Sequence, residues 1–206
     1  MDNGADPNVM NEYGETPLMD AIYASQPPDG SPLACELLLQ YPNVDVTLCG
    51  RDDSYKPLHS AAWHNMRGVV QTMLERGADP CALTLDKNSP LGIAAFGKNL
   101  EAVYLLAPLN RHMIDNADKD GDCAIHYAAY QGDVDMLNCL LDNGADPNVA
   151  NDDHVTPIWY CCYKGHKEAL IQLLRFQTYI VNRKSRGTHQ IEGDYNFMYA
   201  QPRSPL

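Results

Sequence analysis

The phrase Gly4-Ala5-Asp6-Pro7-Asn8 returns later in the chain as Gly77-Ala78-Asp79-Pro80 and as Gly144-Ala145-Asp146-Pro147-Asn148. A second phrase recurs between these copies, and its central residues are Pro17, Pro57, Pro90, Ala124 and Pro157. Those residues lie 40, 33, 34 and 33 positions apart. A fixed period of this length is typical of a solenoid built from stacked repeats. The question of function therefore becomes which side chains line the long face of the stack.

The second phrase is fullest in Pro57-Leu58-His59-Ser60-Ala61-Ala62 and Ile125-His126-Tyr127-Ala128-Ala129. Its residues and spacing resemble the Thr-Pro-Leu-His-x-Ala motif of the ankyrin repeat family. The resemblance covers residues 1–182 and implies an all-α repeat solenoid, in which paired antiparallel helices are joined by β-hairpin fingers. It places a partial first hairpin before about five repeats. These are residues 9–48, 49–81, 82–115, 116–148 and 149–182, and an irregular C-terminal tail follows at 183–206.

The chain departs from the family pattern in two ways, and each departure leads to a prediction. The hairpin glycine present as Gly14 and Gly121 is replaced by Ser54, Lys87 and His154, so we expect those three fingers to be shaped differently. The chain also begins inside a hairpin, with no polar capping repeat before it. Because solenoids need polar caps for solubility, we expect either a longer protein or another element that covers the first repeat.

Composition narrows the classes of partner. The chain has 27 acidic and 15 basic residues, which gives a formal net charge of −12. Binding to nucleic acid or to an anionic membrane needs clustered Lys and Arg, so both are excluded as expected partners.

The cysteines and the N-terminus indicate the compartment. Seven cysteines are an odd number with no framework spacing, unlike a disulfide-rich secreted domain. The N-terminal residues lack a charged segment followed by an apolar one, and no run approaches the ~18 apolar residues of a membrane span. We therefore expect a reduced, soluble protein of the cytoplasm or nucleus.

One position of the first helix is aromatic in every repeat. The residues are Tyr23, Trp63, Phe96, Tyr130 and Tyr163. On a helical wheel this position lies about 140° from the buried Leu or Ile of the motif. The resemblance implies that it faces the concave groove, where the five rings would form a row about 40 Å long. We expect partner contacts here, and the alternative is that the rings pack against the neighbouring finger.

The fingers are acidic at or near their tips. The residues are Glu12, Glu15, Asp52, Asp53, Asp86, Asp120, Asp122, Asp152 and Asp153. Acidic tips beside aromatic rings favour a basic peptide, through electrostatic steering and cation–π contact. Asp is also common in turns for local reasons, so an ordinary solvated turn is the alternative.

The sequence predicts no catalytic residue, metal ligand, cofactor or small-molecule substrate. Cys161 and Cys162 occupy the slots of Ala128 and Ala129, where a small buried side chain is needed, and no CxxC spacing accompanies His166. The histidines of the motif are expected to tie neighbouring fingers together. The resemblance also places Asn148 at the finger position where asparagine hydroxylation occurs in the family.

The leading hypothesis is a non-enzymatic scaffold for protein–protein interaction that binds a partner protein or an extended basic segment on its aromatic and acidic face. Two alternatives stay open. Residues 202–206, Pro-Arg-Ser-Pro-Leu, resemble the opening of a SOCS box, which would suit the substrate-recognition subunit of a cullin-RING ubiquitin ligase truncated before the box. The repeats could equally be the regulatory ankyrin region of a larger enzyme.

Overall fold

The computed structural model describes residues 4–25, 33–48 and 55–185, with side chains described as far as residue 177. The described residues form ten α-helices and no β-strand. The helices are α1 Pro17–Ala24, α2 Leu33–Leu39, α3 Pro57–Trp63, α4 Arg67–Glu75, α5 Pro90–Phe96, α6 Leu100–Leu106, α7 Ala124–Gln131, α8 Val134–Asp142, α9 Pro157–Lys164 and α10 Lys167–Ser185. The odd-numbered inner helices pack against one another in a row, and the even-numbered outer helices pack beside them in a second row. This confirms the predicted all-α repeat solenoid.

Local chemistry sets where the inner helices begin. Four of the five have proline among their first helical residues. A backbone N–H at this position has no acceptor within the helix, so proline removes no hydrogen bond. Ser89 caps α5, because its hydroxyl accepts a hydrogen bond from the Gly92 backbone N–H at 3.1 Å. These helices have only seven or eight residues, so packing between repeats must stabilise them.

The core runs along the seam between the helix rows. The small residues of the motif, such as Ala61, Ala128 and Ala129, are completely buried and let adjacent inner helices approach closely. Cys161 is buried in the same slot, as predicted. Cys162 differs from the prediction because it is exposed. No helix pair of the described residues packs beyond α9 and α10, so no described element covers that side of the fifth repeat.

Each described finger is a tight turn closed by backbone hydrogen bonds, and the fingers are too short to form the expected β-hairpin ladder. In the fourth repeat the N–H of Asp118 donates to the carbonyl of Asp122 at 3.0 Å, and the third and fifth repeats close in the same way. Lys87 (φ 61°) and His154 (φ 60°) adopt the left-handed conformation of the glycines they replace. The expectation of differently shaped fingers is therefore wrong at these two positions, while Ser54 lies outside the described residues.

The last outer helix is longer than the others. Helix α10 has 19 residues, and it includes residues 183–185, which the sequence assigned to the irregular tail. The rest of that tail, with the SOCS-box-like residues 202–206, lies outside the described residues. None of the helices in the described ranges has the length and apolar content needed to cross a bilayer.

Candidate functional site

All five aromatic residues of the predicted row are exposed. The exposed fractions are 37% for Tyr23, 41% for Trp63, 55% for Phe96, 45% for Tyr130 and 68% for Tyr163. They lie at or next to the last residue of each inner helix, where the side chain has left the buried seam. The structure thus presents a row of rings to solvent along the inner helices.

The backbone under three of these rings is fixed by a side chain from the following repeat. The contacts are Asn99 Nδ2 to the Trp63 carbonyl, Gln131 Nε2 to the Phe96 carbonyl at 3.0 Å, and His166 Nε2 to the Tyr130 carbonyl at 3.0 Å. Asn99 also donates to the Ala62 carbonyl at 2.7 Å. These carbonyls end their helices and have no intrahelical donor. The stacking of repeats therefore sets the position of the rings.

Ring contacts place four of the five row residues in two clusters, while Tyr23 contacts the ring of His64. Trp63 stacks on Phe96 with a centroid distance of 5.6 Å, and Phe96 meets the edge of Tyr127 at 5.1 Å. We call these three residues the central cluster. The C-terminal cluster is Tyr130, Trp159, Tyr160 and Tyr163. Among the described residues no ring contact joins one cluster to the other.

The C-terminal cluster contains a cation of the chain itself. Trp159 stacks on Tyr163 at 4.9 Å with nearly parallel planes. Lys164 Nζ donates to the Tyr130 hydroxyl at 2.8 Å and lies 4.0 Å from the centre of that ring. It lies 5.5 Å from the centre of the Tyr163 ring. A positive charge therefore already sits between the exposed rings of the fourth and fifth repeats.

The acidic finger residues lie mainly on the surface. Glu12, Asp86, Asp120, Asp152 and Asp153 are exposed, and Glu15 and Asp122 are half-buried. Asp52 and Asp53 lie outside the described residues.

Three of these carboxylates have side-chain partners. Glu15 accepts a hydrogen bond from Asn11 Nδ2 at 3.2 Å. Asp86 pairs with Lys119 at 3.3 Å on the surface of neighbouring fingers. Asp122 accepts a hydrogen bond from Asn151 Nδ2 at 2.9 Å, and burial raises the pKa of its carboxyl group. The remaining exposed acids leave the finger tips negatively charged.

One tyrosine links the central cluster to an acidic finger. The Tyr127 hydroxyl donates to the Asp118 carboxylate, which also accepts the backbone N–H groups of Asp120 and Asp122 at 2.9 and 3.0 Å. Burial, and then this hydrogen bond, raise the pKa of the Tyr127 hydroxyl. Phe96, Tyr127 and Asp118 thus form one continuous aromatic and anionic surface.

Part of this site was not among the residues predicted from the sequence. Tyr130 was predicted, whereas Tyr127, which lies one turn earlier on the same helix, was not. The same spacing relates Tyr163 to Tyr160. Spacing of three residues between aromatic positions in the fourth and fifth repeats was the available signal.

Two buried cysteines, Cys123 and Cys161, are unsuited to nucleophilic chemistry. Burial raises the pKa of the Cys123 thiol to about 12 and that of Cys161 to about 11. Both thiols stay protonated at neutral pH, whereas the thiolate is the reactive form. His166 is engaged with the Tyr130 carbonyl. Within the described ranges, no three His, Cys, Asp or Glu side chains converge on a point that could hold a metal ion.

The motif histidines join neighbouring fingers, as predicted. Buried His59 accepts the Lys56 backbone N–H on Nδ1 at 3.1 Å, and its Nε2 lies 3.0 Å from the Ala82 carbonyl in the next finger. Asn148, the predicted hydroxylation position, is exposed, and its side-chain carbonyl accepts a hydrogen bond from Gln177 on α10.

Comparison with known proteins agrees with this architecture. Two family models, described as "Ankyrin repeats (3 copies)" and "Ankyrin repeats (many copies)", match residues 1–84 and 125–174, which together exceed half of the chain. The ankyrin repeat protein nuc-2 of Neurospora crassa is 29% identical over 166 residues, which is 79% of this chain and 15% of that protein.

Two further relatives share shorter stretches. The human transient receptor potential cation channel subfamily A member 1 is 31% identical over 58% of this chain and 11% of its own length. The bovine ankyrin repeat and SOCS box protein 3 is 30% identical over 52% of this chain and 20% of its own length. The chain spans between 11% and 20% of these three relatives. With its repeat period, its stacked helix pairs and these matches, the chain belongs to the ankyrin repeat family.

Proposed function

We propose that the aromatic and acidic surface of this chain binds a partner protein through an extended segment that carries basic residues. Ankyrin repeats are a general protein–protein interaction module, and the finer assignment depends on the central cluster. Its three rings are ordered against each other, two of them are exposed, and the third donates to Asp118. That combination of exposed ring faces with a fixed carboxylate is the observation that carries the proposal.

The rings and the carboxylates of this surface would both favour binding of a guanidinium or ammonium group. A cation over an exposed aromatic ring gains about 0.5–1 kcal/mol, and more where it is desolvated. The carboxylate of Asp118 and the acidic tips would attract the same charge from a distance and raise the association rate. Because Asn99 and Gln131 fix the backbone under Trp63 and Phe96, little conformational entropy is lost when a partner binds.

The test is selection from a library of randomised peptides, followed by affinity measurement on two variants. We expect the selected peptides to be enriched in Arg and Lys. Trp63→Ala should weaken their binding roughly 30-fold, because truncating an aromatic anchor at an interface often costs about 2 kcal/mol. Tyr104→Ala is the matched control, since Tyr104 is also aromatic and 46% exposed but lies on the outer helix α6.

Three outcomes would contradict the proposal. One is enrichment of neutral or acidic peptides, a second is equal loss of affinity in Trp63→Ala and Tyr104→Ala, and the third is no selected peptide at all. Trp63→Ala should leave the melting temperature within a few degrees of the wild type, because the side chain is largely outside the core. A large fall would show that the ring supports the fold instead.

A second candidate function is substrate recognition for a cullin-RING ubiquitin ligase. It is favoured by the similarity to an ankyrin and SOCS box protein and by residues 202–206. Copurification of elongins and a cullin with this protein or a longer form of it would support this candidate, and their absence from such preparations would count against it. The free cysteines of the described residues fit a cytoplasmic or nuclear location for either function.

A further inference from the structure

The position after each ring of the aromatic row differs among the repeats. It is occupied by Ala24, His64, Gly97, Gln131 and Lys164, so only the fifth repeat has Lys or Arg there. Lys164 is exposed, and among the described residues it takes part in none of the ion pairs. Its ammonium group is held instead by the Tyr130 hydroxyl and the faces of Tyr130 and Tyr163.

The two aromatic clusters therefore differ in charge. In the central cluster, Tyr127 turns its hydroxyl toward the carboxylate of Asp118, so the fixed charge in contact with these rings is negative. In the C-terminal cluster, burial and the neighbouring carboxylate of Asp122 raise the pKa of the Tyr160 hydroxyl, but the ammonium group of Lys164 adds a positive charge over Tyr130 and beside Tyr163. A basic side chain of a partner would be attracted to the central cluster. At the C-terminal cluster it would be repelled by the like charge of Lys164 or would have to displace that side chain.

We propose that Lys164 is a specificity-determining residue: it excludes basic side chains from the C-terminal cluster and so directs the basic residue of a bound segment to the central cluster. This inference rests on the proposed function. The C-terminal cluster is left to a neutral or acidic side chain of the same segment, for which Lys164 offers a hydrogen-bond donor.

The spacing of the two subsites follows from the repeat geometry. Inner helices of adjacent repeats pack about 8–10 Å apart, so Phe96 and Tyr163, two repeats apart, are separated by roughly 20 Å. An extended peptide advances about 3.3 Å per residue, and it therefore needs about six residues to reach from one subsite to the other. A second basic residue six positions from the first would meet Lys164.

The experiment uses two labelled peptides of about 13 residues and the full chain. One peptide carries a single central Arg in a Gly, Ser and Leu background. The other carries two more Arg residues, six positions before and after the first, so that either binding direction places one of them at Lys164. Fluorescence anisotropy gives the ratio of their dissociation constants for the wild type, Lys164→Met and Lys167→Met. Lys167, three positions further on and also exposed, is the matched control for loss of one positive charge.

We expect Lys164→Met to improve the affinity for the three-Arg peptide about threefold relative to the single-Arg peptide. That is the effect of removing one unit charge about 6 Å from another in water. Lys164→Glu should improve it about tenfold, since it replaces repulsion with attraction. Lys167→Met should leave the ratio unchanged, and the gain should shrink at high salt.

An unchanged ratio in Lys164→Met and Lys164→Glu would overturn the role of Lys164 while leaving the proposed function intact. An equal change in Lys167→Met would also overturn it, because a general charge effect would then be responsible. Failure of all the proteins to bind either peptide would instead reject the basic segment as the partner. The three results are distinguishable in a single data set.

Discussion

Replacing Gly132 by alanine tests whether stacking of the fifth repeat positions the ring of the fourth. Gly132 ends α7 in the left-handed conformation, with φ of 73°. A Cβ atom at this position would lie 2.5 Å from Cγ of His166, which is closer than real side chains allow. Gly165 has the same position in the next repeat and nearly the same φ, 75°, yet a Cβ there would meet nothing within 4 Å. Both substitutions therefore place alanine in a left-handed backbone conformation, and only Gly132→Ala also brings a Cβ atom against His166.

The expected loss of unfolding free energy in each variant follows from what surrounds the substituted glycine. Placing alanine in a left-handed conformation costs about 1 kcal/mol in either variant. In Gly132→Ala the ring of His166 must also move, which removes its hydrogen bond to the Tyr130 carbonyl at a cost of about 1 kcal/mol. Displacement of a packed ring adds up to a further 1 kcal/mol. We therefore expect Gly132→Ala to lose about 2–3 kcal/mol of unfolding free energy, against about 1 kcal/mol for Gly165→Ala.

Urea unfolding followed by tryptophan fluorescence measures the difference, and hydrogen exchange assigns it to repeats, because repeat proteins need not unfold in one step. The amides of α7 and α9 should lose protection in Gly132→Ala, and peptides that contact Tyr130 should bind more weakly. Equal destabilisation of the two variants would refute the reasoning, since it would show that the contact between His166 and Tyr130 contributes nothing.

Two further predictions concern stability. Burial lowers the pKa of His59 below its ordinary value of 6.5, so as the pH falls below that value the unfolded chain binds a proton that the folded chain does not. The unfolding free energy should fall by up to about 1.4 kcal/mol per pH unit between pH 6.5 and 5.5, and a His59→Gln variant showing the same slope would contradict this. Arg76 donates to the carbonyls of Leu39 and Pro42 at 3.0 and 3.2 Å, and to that of Val44. Arg76→Met should therefore destabilise the first repeat by about 2–3 kcal/mol, and unchanged exchange of residues 33–48 would rule that out.

Much of the architecture follows from local features that a single repeat contains. The helix starts were predictable because proline at the first turn and hydroxyl caps act within a few residues of the chain. The exposure of the ring row was predictable from helical periodicity, since Trp63 and Tyr163 lie away from the buried stripe of their own helices. The conformation of the fingers was not, because Lys87 and His154 adopt a left-handed backbone that residues other than glycine rarely take, and at Lys87 the carbonyl accepts a hydrogen bond from Asn116 of the next finger.

The division of the ring row depends on contacts between repeats, which no pattern within one repeat contains. Phe96 meets Tyr127 across the interface of the third and fourth repeats, and Lys164 reaches back from the fifth repeat to Tyr130 in the fourth. Trp159 illustrates the same limit. It occupies the slot where His59 and His126 are fully buried, but it is 48% exposed because no following finger covers it in the described part of the chain. Whether a motif position is buried thus depends on whether the finger of the next repeat covers it.

Under the proposed function, stability and recognition are coupled in this solenoid, because the side chains that join neighbouring repeats also position the rings. Asn99, Gln131 and His166 satisfy helix-end carbonyls that belong to Trp63, Phe96 and Tyr130, so each ring is held by the interface of its repeat with the next one. A partner that bridges two rings must therefore favour the stacked arrangement over the separated one, and its binding energy adds to the interface between those repeats. Ring substitutions should reduce binding with little loss of stability, whereas substitutions of the three donors should reduce both. This difference separates a residue that contacts the partner from one that only positions it.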